Sequence, residues 1–145
     1  MQYVGDAVMA VFGAPEPTAD HAARALEAAA VMHRAQEAVN TEWAASGLEP
    51  FGLGIGISTG VVAAALLGSE ERVEYTVVGD AVNLSQRLQQ FASPGQTVLS
   101  EATYDQLTTA PAAVKLEPQL VKGRDTPVVA YRVDRIDVQT EGALT

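Results

Sequence analysis

The chain contains no cysteine, which removes disulfides and thiolate metal sites from consideration. Such a chain fits a reducing compartment, and a cytoplasmic location is expected, whether alone or as the cytoplasmic part of a larger protein. Long apolar runs are also missing. None approaches the ~20 residues of a membrane-spanning helix, and no signal peptide opens the chain. Cations are few: nine Lys and Arg stand against eighteen Asp and Glu, a net charge of -9. The nine are scattered, so no basic patch offers itself to a nucleic-acid backbone. No Gly-x-x-x-x-Gly-Lys-Ser/Thr pattern is present, which disfavours a P-loop nucleotide site. Internal repeats and low-complexity linkers are absent too.

What remains is 145 residues, enough for one domain with a real core. Its most informative stretch is Glu70–Phe91. Tyr75-Thr76-Val77-Val78 is a β-branched run and reads as a strand. Gly79-Asp80 breaks it, and Asp80 is expected to cap a helix running to about Phe91. On that helix Leu84, Leu88 and Phe91 form a stripe for burial. Asn83 and Arg87, four apart, form a second stripe roughly 60 to 100° round from it at about 3.6 residues per turn. An amide and a guanidinium presented together beside a core suit an anion whose charge changes during reaction.

The rest of the chain follows in order. Met1–Val4 and Ala7–Phe12 flank Gly5-Asp6, which predicts a β-hairpin with Asp6 at its tip. Asp20 is expected to cap a helix to about Ala45, with Ala22, Leu26, Ala29, Met32, Val39 and Trp43 on one apolar face. His21 and His33 have no carboxylate at ligand spacing and do not read as a metal site. Phe51–Ile57 alternates apolar residues with glycine, a strand whose glycine face admits close approach of a helix or ligand. Val61–Leu67 is uniformly apolar, so strand and helix stay open there. Ser69–Glu74 is a polar loop or hairpin arm carrying Arg72. A turn over Ala92–Gln96 leads to a strand at Thr97–Leu99 and a short helix at Glu101–Leu107. Val114–Val121 and Val128–Val133 are expected to close the fold as a strand pair around Lys122-Gly123-Arg124-Asp125. Residues 1–135 form the domain, and 136–145 read as a frayed tail. Uneven alternation of strands and helices, with hairpins at both ends, predicts an α+β fold with helices packed on one face of a mixed or antiparallel sheet.

Four stretches, in order, resemble the class III nucleotidyl cyclases, the adenylyl and guanylyl cyclases. They are YVGDAVMAVFGAPEPTADHAARAL at Tyr3–Leu26, GLGIGISTG at Gly52–Gly60, EYTVVGDAVNLSQRL at Glu74–Leu88 and LVKGRDTPVVAYRV at Leu120–Val133. The likeness implies a ferredoxin-like core and active sites shared head to tail between two catalytic domains, most simply a homodimer. It also implies conversion of a nucleoside triphosphate to a cyclic nucleotide and pyrophosphate with two Mg²⁺ or Mn²⁺ ions. The family usually has a further glycine where this chain has Ala65-Leu66-Leu67-Gly68.

On the matching positions the resemblance makes Asp6 a metal ligand, a hard carboxylate for a hard cation. Asn83 would orient the ribose, Arg87 would stabilise charge on the α-phosphate, and Lys122 would hold the terminal phosphates, with Arg72 a secondary phosphate contact. Base selection falls to Gln2, four before Asp6, and Thr76, seven before Asn83. Neither carries the guanylyl pattern of Glu and Cys, which points to ATP. The other metal aspartate of the family belongs to a strand and helix ahead of the hairpin, so the chain reads as N-terminally truncated. Cyclase activity near background is therefore expected of residues 1–145 by themselves. The alternative is a non-catalytic cyclase-homology module that serves as a regulatory or dimerisation partner.

Overall fold

The computed structural model describes residues 2–4, 7–14, 17–69, 72–120 and 125–134. Strands β1 (Gln2–Val4) and β2 (Ala7–Met9) pair antiparallel with Val4 opposite Ala7. This is the expected hairpin, although Gly5 and Asp6 lie outside the described residues. Helix α1 (His21–Ala45) follows, then β3 (Ile55–Ile57) and the ribbon of β4 (Ala63–Ser69) and β5 (Arg72–Val78). The apolar run after Val61 is thus a strand. Helix α2 (Asp80–Phe91), β6 (Thr97–Ser100), the short α3 (Glu101–Asp105), β7 (Val114–Lys115) and β8 (Ala130–Val133) complete the chain. The central sheet has the order β3-β6-β8-β7, with β3 parallel to β6 and the other pairings antiparallel.

The α+β class and the mixed sheet agree with expectation, but the helices do not share one face. Successive side chains of a strand point to opposite faces, and in β6 both Val98 and Leu99 are fully buried. Val98 packs with Leu84 and Leu88 of α2 and with Ala130. Leu99 packs with Leu26 of α1 and Val133, flanked by Ile57, Tyr104 and Tyr131. Helix α2 therefore covers one face, and α1 and α3 cover the other. Tyr104 stacks on Tyr131 at 4.0 Å between ring centroids, which ties α3 to its side.

Other boundaries moved for identifiable reasons. The strand expected over Phe51–Ile57 begins only at Ile55, because its parallel partner begins at Thr97 and the preceding neighbour is the Ala92–Gln96 turn. The closing strand pair is interrupted between Leu116, whose amide still reaches the Ala130 carbonyl, and the Gln119–Val128 bridge. Pro118 stands in that gap and has no N–H to give. The apolar face of α1 is buried only at Ala22, Leu26, Ala29 and Ala30. Met32, Val39 and Trp43 are exposed, and Trp43 packs edge-on against Phe51 instead. Asp20 precedes α1 as expected, but its carboxylate bonds Arg24 Nε at 3.0 Å rather than capping the helix. Phe91, expected in the buried stripe of α2, is exposed at the helix end.

Candidate active site

The site begins where β5 hands over to α2. Gly79, not Asp80, is the cap residue, with φ at +154°, a conformation that side-chain-bearing residues rarely adopt. Its carbonyl accepts from the amides of Val82 and Asn83 at 3.1 and 3.4 Å. Asp80 becomes the first helical residue, where its charge favours the positive end of the helix dipole. Leu84 and Leu88 are buried against the sheet as the periodicity required. Asn83 is exposed and Arg87 half-buried beside them. Among the described residues neither side chain has a hydrogen-bond or ion-pair partner, so both polar groups can be committed to a ligand.

Glycines in the segment entering and leaving β3 let α2 lie close. A Cβ at Gly56 would stand 2.3 Å from the Ser85 carbonyl oxygen and 2.4 Å from the Gln89 nitrogen. A Cβ at Gly54 would stand 2.9 Å from the Ala92 carbonyl oxygen. The glycine face read from the sequence is thus a seat for a helix, not for a ligand.

The other expected site residues lie elsewhere. Gln2 pairs with Met9 in the N-terminal hairpin. Arg72 and Thr76 lie in β5, opposite Ser69 and Ala65. These two ribbons are not paired to the central sheet, and among the described site residues Asn83 and Arg87 share one element, α2. Asp6 and Lys122 fall outside the described residues, as do residues 136–145. A two-metal site needs several hard oxygen ligands. Among the described residues no group of three His, Asp or Glu side chains could hold a metal ion. With Asp6 outside them, the described residues do not make up such a donor set.

Beside the start of α2 opens a cleft of ≈ 280 Å³, lined in part by Thr59, Asp80, Leu84, Ser100, Glu101 and Thr126. Neither Asn83 nor Arg87 lines it. Its wall holds a hydroxyl chain absent from the sequence reading: Thr59 Oγ1 lies 2.7 Å from Thr103 Oγ1, which lies 2.9 Å from Ser100 Oγ. Ser100 also accepts from the Thr103 amide at 3.2 Å as the N-cap of α3. A Ser three residues ahead of Thr103 is a legible cap pattern. The partnership with Thr59, 44 residues away, has no local signal.

Comparison with known proteins places most of the chain in one family. The sequence profile of the family described as "Adenylate and Guanylate cyclase catalytic domain" matches residues 1–134. Adenylate cyclase 1 of Rhizobium meliloti is 34% identical over 137 residues, spanning 92% of this chain and 20% of that protein. The crystal structure of the adenylyl cyclase CyaB from P. aeruginosa superposes with a TM-score of 0.83 at 30% identity, covering 91% of this chain and 69% of that one. The guanylyl cyclase Cya2 superposes with a TM-score of 0.76 at 35% identity, covering 86% and 64%. The chain thus spans only a fifth of that curated relative, and its relatives include both adenylate and guanylate cyclases. Among the described residues no helix is long and apolar enough to cross a membrane. By profile, sequence and fold together, the chain belongs to the adenylate and guanylate cyclase catalytic domain family.

Proposed function

We propose that this chain is the catalytic domain of an adenylate cyclase, converting ATP to 3′,5′-cyclic AMP and pyrophosphate. The observation that carries the reading is the exposed flank of α2, where Asn83 and Arg87 stand one turn apart on a helix seated firmly on the sheet. The 3′-oxygen of the ribose forms a bond to the α-phosphorus, and the bond from that phosphorus to the pyrophosphate oxygen breaks. The hydroxyl proton leaves to solvent. Asn83 holds the ribose so that the 3′-oxygen faces the phosphorus, which removes much of the entropic cost of the attack. Arg87 donates to the α-phosphate oxygens as their charge grows. Lys122 takes the terminal phosphates, with Arg72 secondary, and Gln2 and Thr76 read the base. Asp6 is the carboxylate we assign as a ligand for Mg²⁺ or Mn²⁺.

Two features support assembly with a second copy, head to tail. Neither Asn83 nor Arg87 has a hydrogen-bond or ion-pair partner among the described residues, and a reacting phosphate needs an enclosing wall to exclude water. The β4–β5 ribbon pairs with no other strand among those residues, and a two-stranded ribbon is marginal without something to pack on.

The test is cyclic AMP formation from ATP by the full-length natural protein with Mg²⁺ or Mn²⁺, alongside Asn83→Ala and Arg87→Ala. Removing one donor to a developing oxyanion costs about 10²- to 10³-fold in kcat. Undiminished turnover by Arg87→Ala would remove the assignment. Nucleotide binding without turnover in the parent protein would favour the non-catalytic module.

A further inference from the structure

We propose that Ser58 is a positioning residue for the nucleotide-facing flank of α2: with Gly56 it fixes the height and setting of the helix that carries Asn83 and Arg87. The inference rests on the function proposed above, in which those two side chains touch the nucleotide.

The contacts between the segment around β3 and α2 run in a line. Ser58, one residue beyond β3, donates its hydroxyl to the carbonyl oxygen of Ala81 in the first turn of α2. Gly60 stands against the Ala81 side chain, where a Cβ would lie 3.0 Å away. Gly56 lies beneath Ser85 and Gln89, and Gly54 beneath the Ala92 carbonyl. Positions 81, 85 and 89 are one turn apart and trace a single edge of the helix. At about 100° per residue, Asn83 and Arg87, two residues on either side of Ser85, lie roughly 160° round from that edge. The rail therefore runs along the side of α2 opposite to the two polar groups. Any retreat of the helix from β3 is passed directly to them.

Ser58 and Gly56 do different things. The Ala81 carbonyl is already due to accept from the amide of residue 85, and its second lone pair takes the Ser58 hydroxyl. That bond pins the first turn, whose cap is a glycine with no side chain to hold it. Gly56 sets the depth. An added methyl group would meet helix backbone at 2.3 and 2.4 Å where ordinary contact begins at 3.4 Å. The backbone of a helix cannot step aside locally, so α2 would retreat by roughly 1 Å, and a misplacement of that size can cost about 10²-fold in rate. The sheet beneath is rigid: β3 pairs in register with β6, where Val98 and Leu99 are fully buried.

The test uses Ser58→Ala, Ser58→Thr and Gly56→Ala in the full-length natural protein, with Val133→Ala as a destabilised control whose side chain lies in the core on the other face of the sheet. Ser58→Ala is expected to lower kcat by about tenfold with KM for ATP changed less than about threefold. It should also speed hydrogen exchange of the first-turn amides of α2 by about tenfold. Ser58→Thr, which keeps the hydroxyl, should restore both readouts. Gly56→Ala should lower kcat by about 10²-fold, but Ser58→Ala decides the matter should that variant fold poorly. Unchanged exchange in Ser58→Ala overturns the proposal. So does a kcat loss that Val133→Ala reproduces at the same fall in Tm, because the effect would then be general instability. Full turnover by Arg87→Ala would instead remove the assigned function, and hydrogen exchange alone would then decide whether Ser58 pins α2.

Discussion

His33 of α1 and Thr97 of β6 meet where the helix crosses the sheet, imidazole Nε2 to hydroxyl Oγ1 at 3.0 Å. Thr97 is fully buried and His33 half-buried. Burial pushes the imidazole pKa below its ordinary value, against smaller opposing effects from the Gln96 backbone and the Glu37 charge. The fold therefore prefers neutral His33. Its contribution to stability is complete above about pH 6.5 and is lost as pH falls from there through the depressed native value. Tm should drop between pH 7.5 and 5, and His33→Gln should flatten that part of the profile. An identical pH profile in the variant would show that His33 is not the titrating group.

Leu88 is fully buried in the core between α2 and the sheet. Leu88→Ala should cost about 2–5 kcal/mol of unfolding free energy, from lost transfer energy and the cavity left behind. Val39→Ala, on the exposed second half of α1, should cost well under half as much, because much of that side chain already meets water. Chemical denaturation of the two variants measures the contrast. Equal losses would mean that the second half of α1 is covered in solution.

Base preference should be modest. A neutral amide such as that of Gln2 can donate or accept, and one neutral hydrogen bond is worth about 0.5–1.5 kcal/mol. ATP should thus be preferred over GTP by roughly 2- to 10-fold in kcat/KM. Gln2→Lys should widen the margin to roughly 10- to 100-fold, because a charged donor contributes about 1.5–3 kcal/mol. Competition between the two nucleotides measures this. Equal or better use of GTP by the parent protein would remove the adenylate assignment.

Assembly is testable by mixing. If each site takes Asp6 from one subunit and Asn83 with Arg87 from the other, homodimers of Asp6→Ala and of Arg87→Ala should both be nearly inactive. Random re-pairing makes half the dimers mixed, with one of two sites intact, so about one quarter of parental activity should return. Demonstrated heterodimers without recovered activity would place the two groups in the same subunit's site.

Local pattern was enough for much of this chain. The two N-terminal strands, α1, the β5–α2 junction and the Asn83/Arg87 pair all follow from short-range spacing, turn residues and helical period. The structure places them within about three residues, β2 ending at Met9 rather than Phe12 and β5 beginning at Arg72 rather than Tyr75. The glycines of Gly52–Gly56 announced a close approach, but not by what. Which face each helix took was settled only in three dimensions. Val98 and Leu99 are adjacent and equally apolar, and only pairing of β6 with neighbours on both sides turns them into the floors of two separate cores. The exposed half of α1 has the same origin: its apolar stripe continues in sequence past Ala30, the last of its buried residues. The Ser58–Ala81, Thr59–Thr103 and His33–Thr97 contacts join residues 23, 44 and 64 positions apart. Bonds over such separations leave no periodic trace, because they depend on where whole elements come to rest rather than on the residues between them.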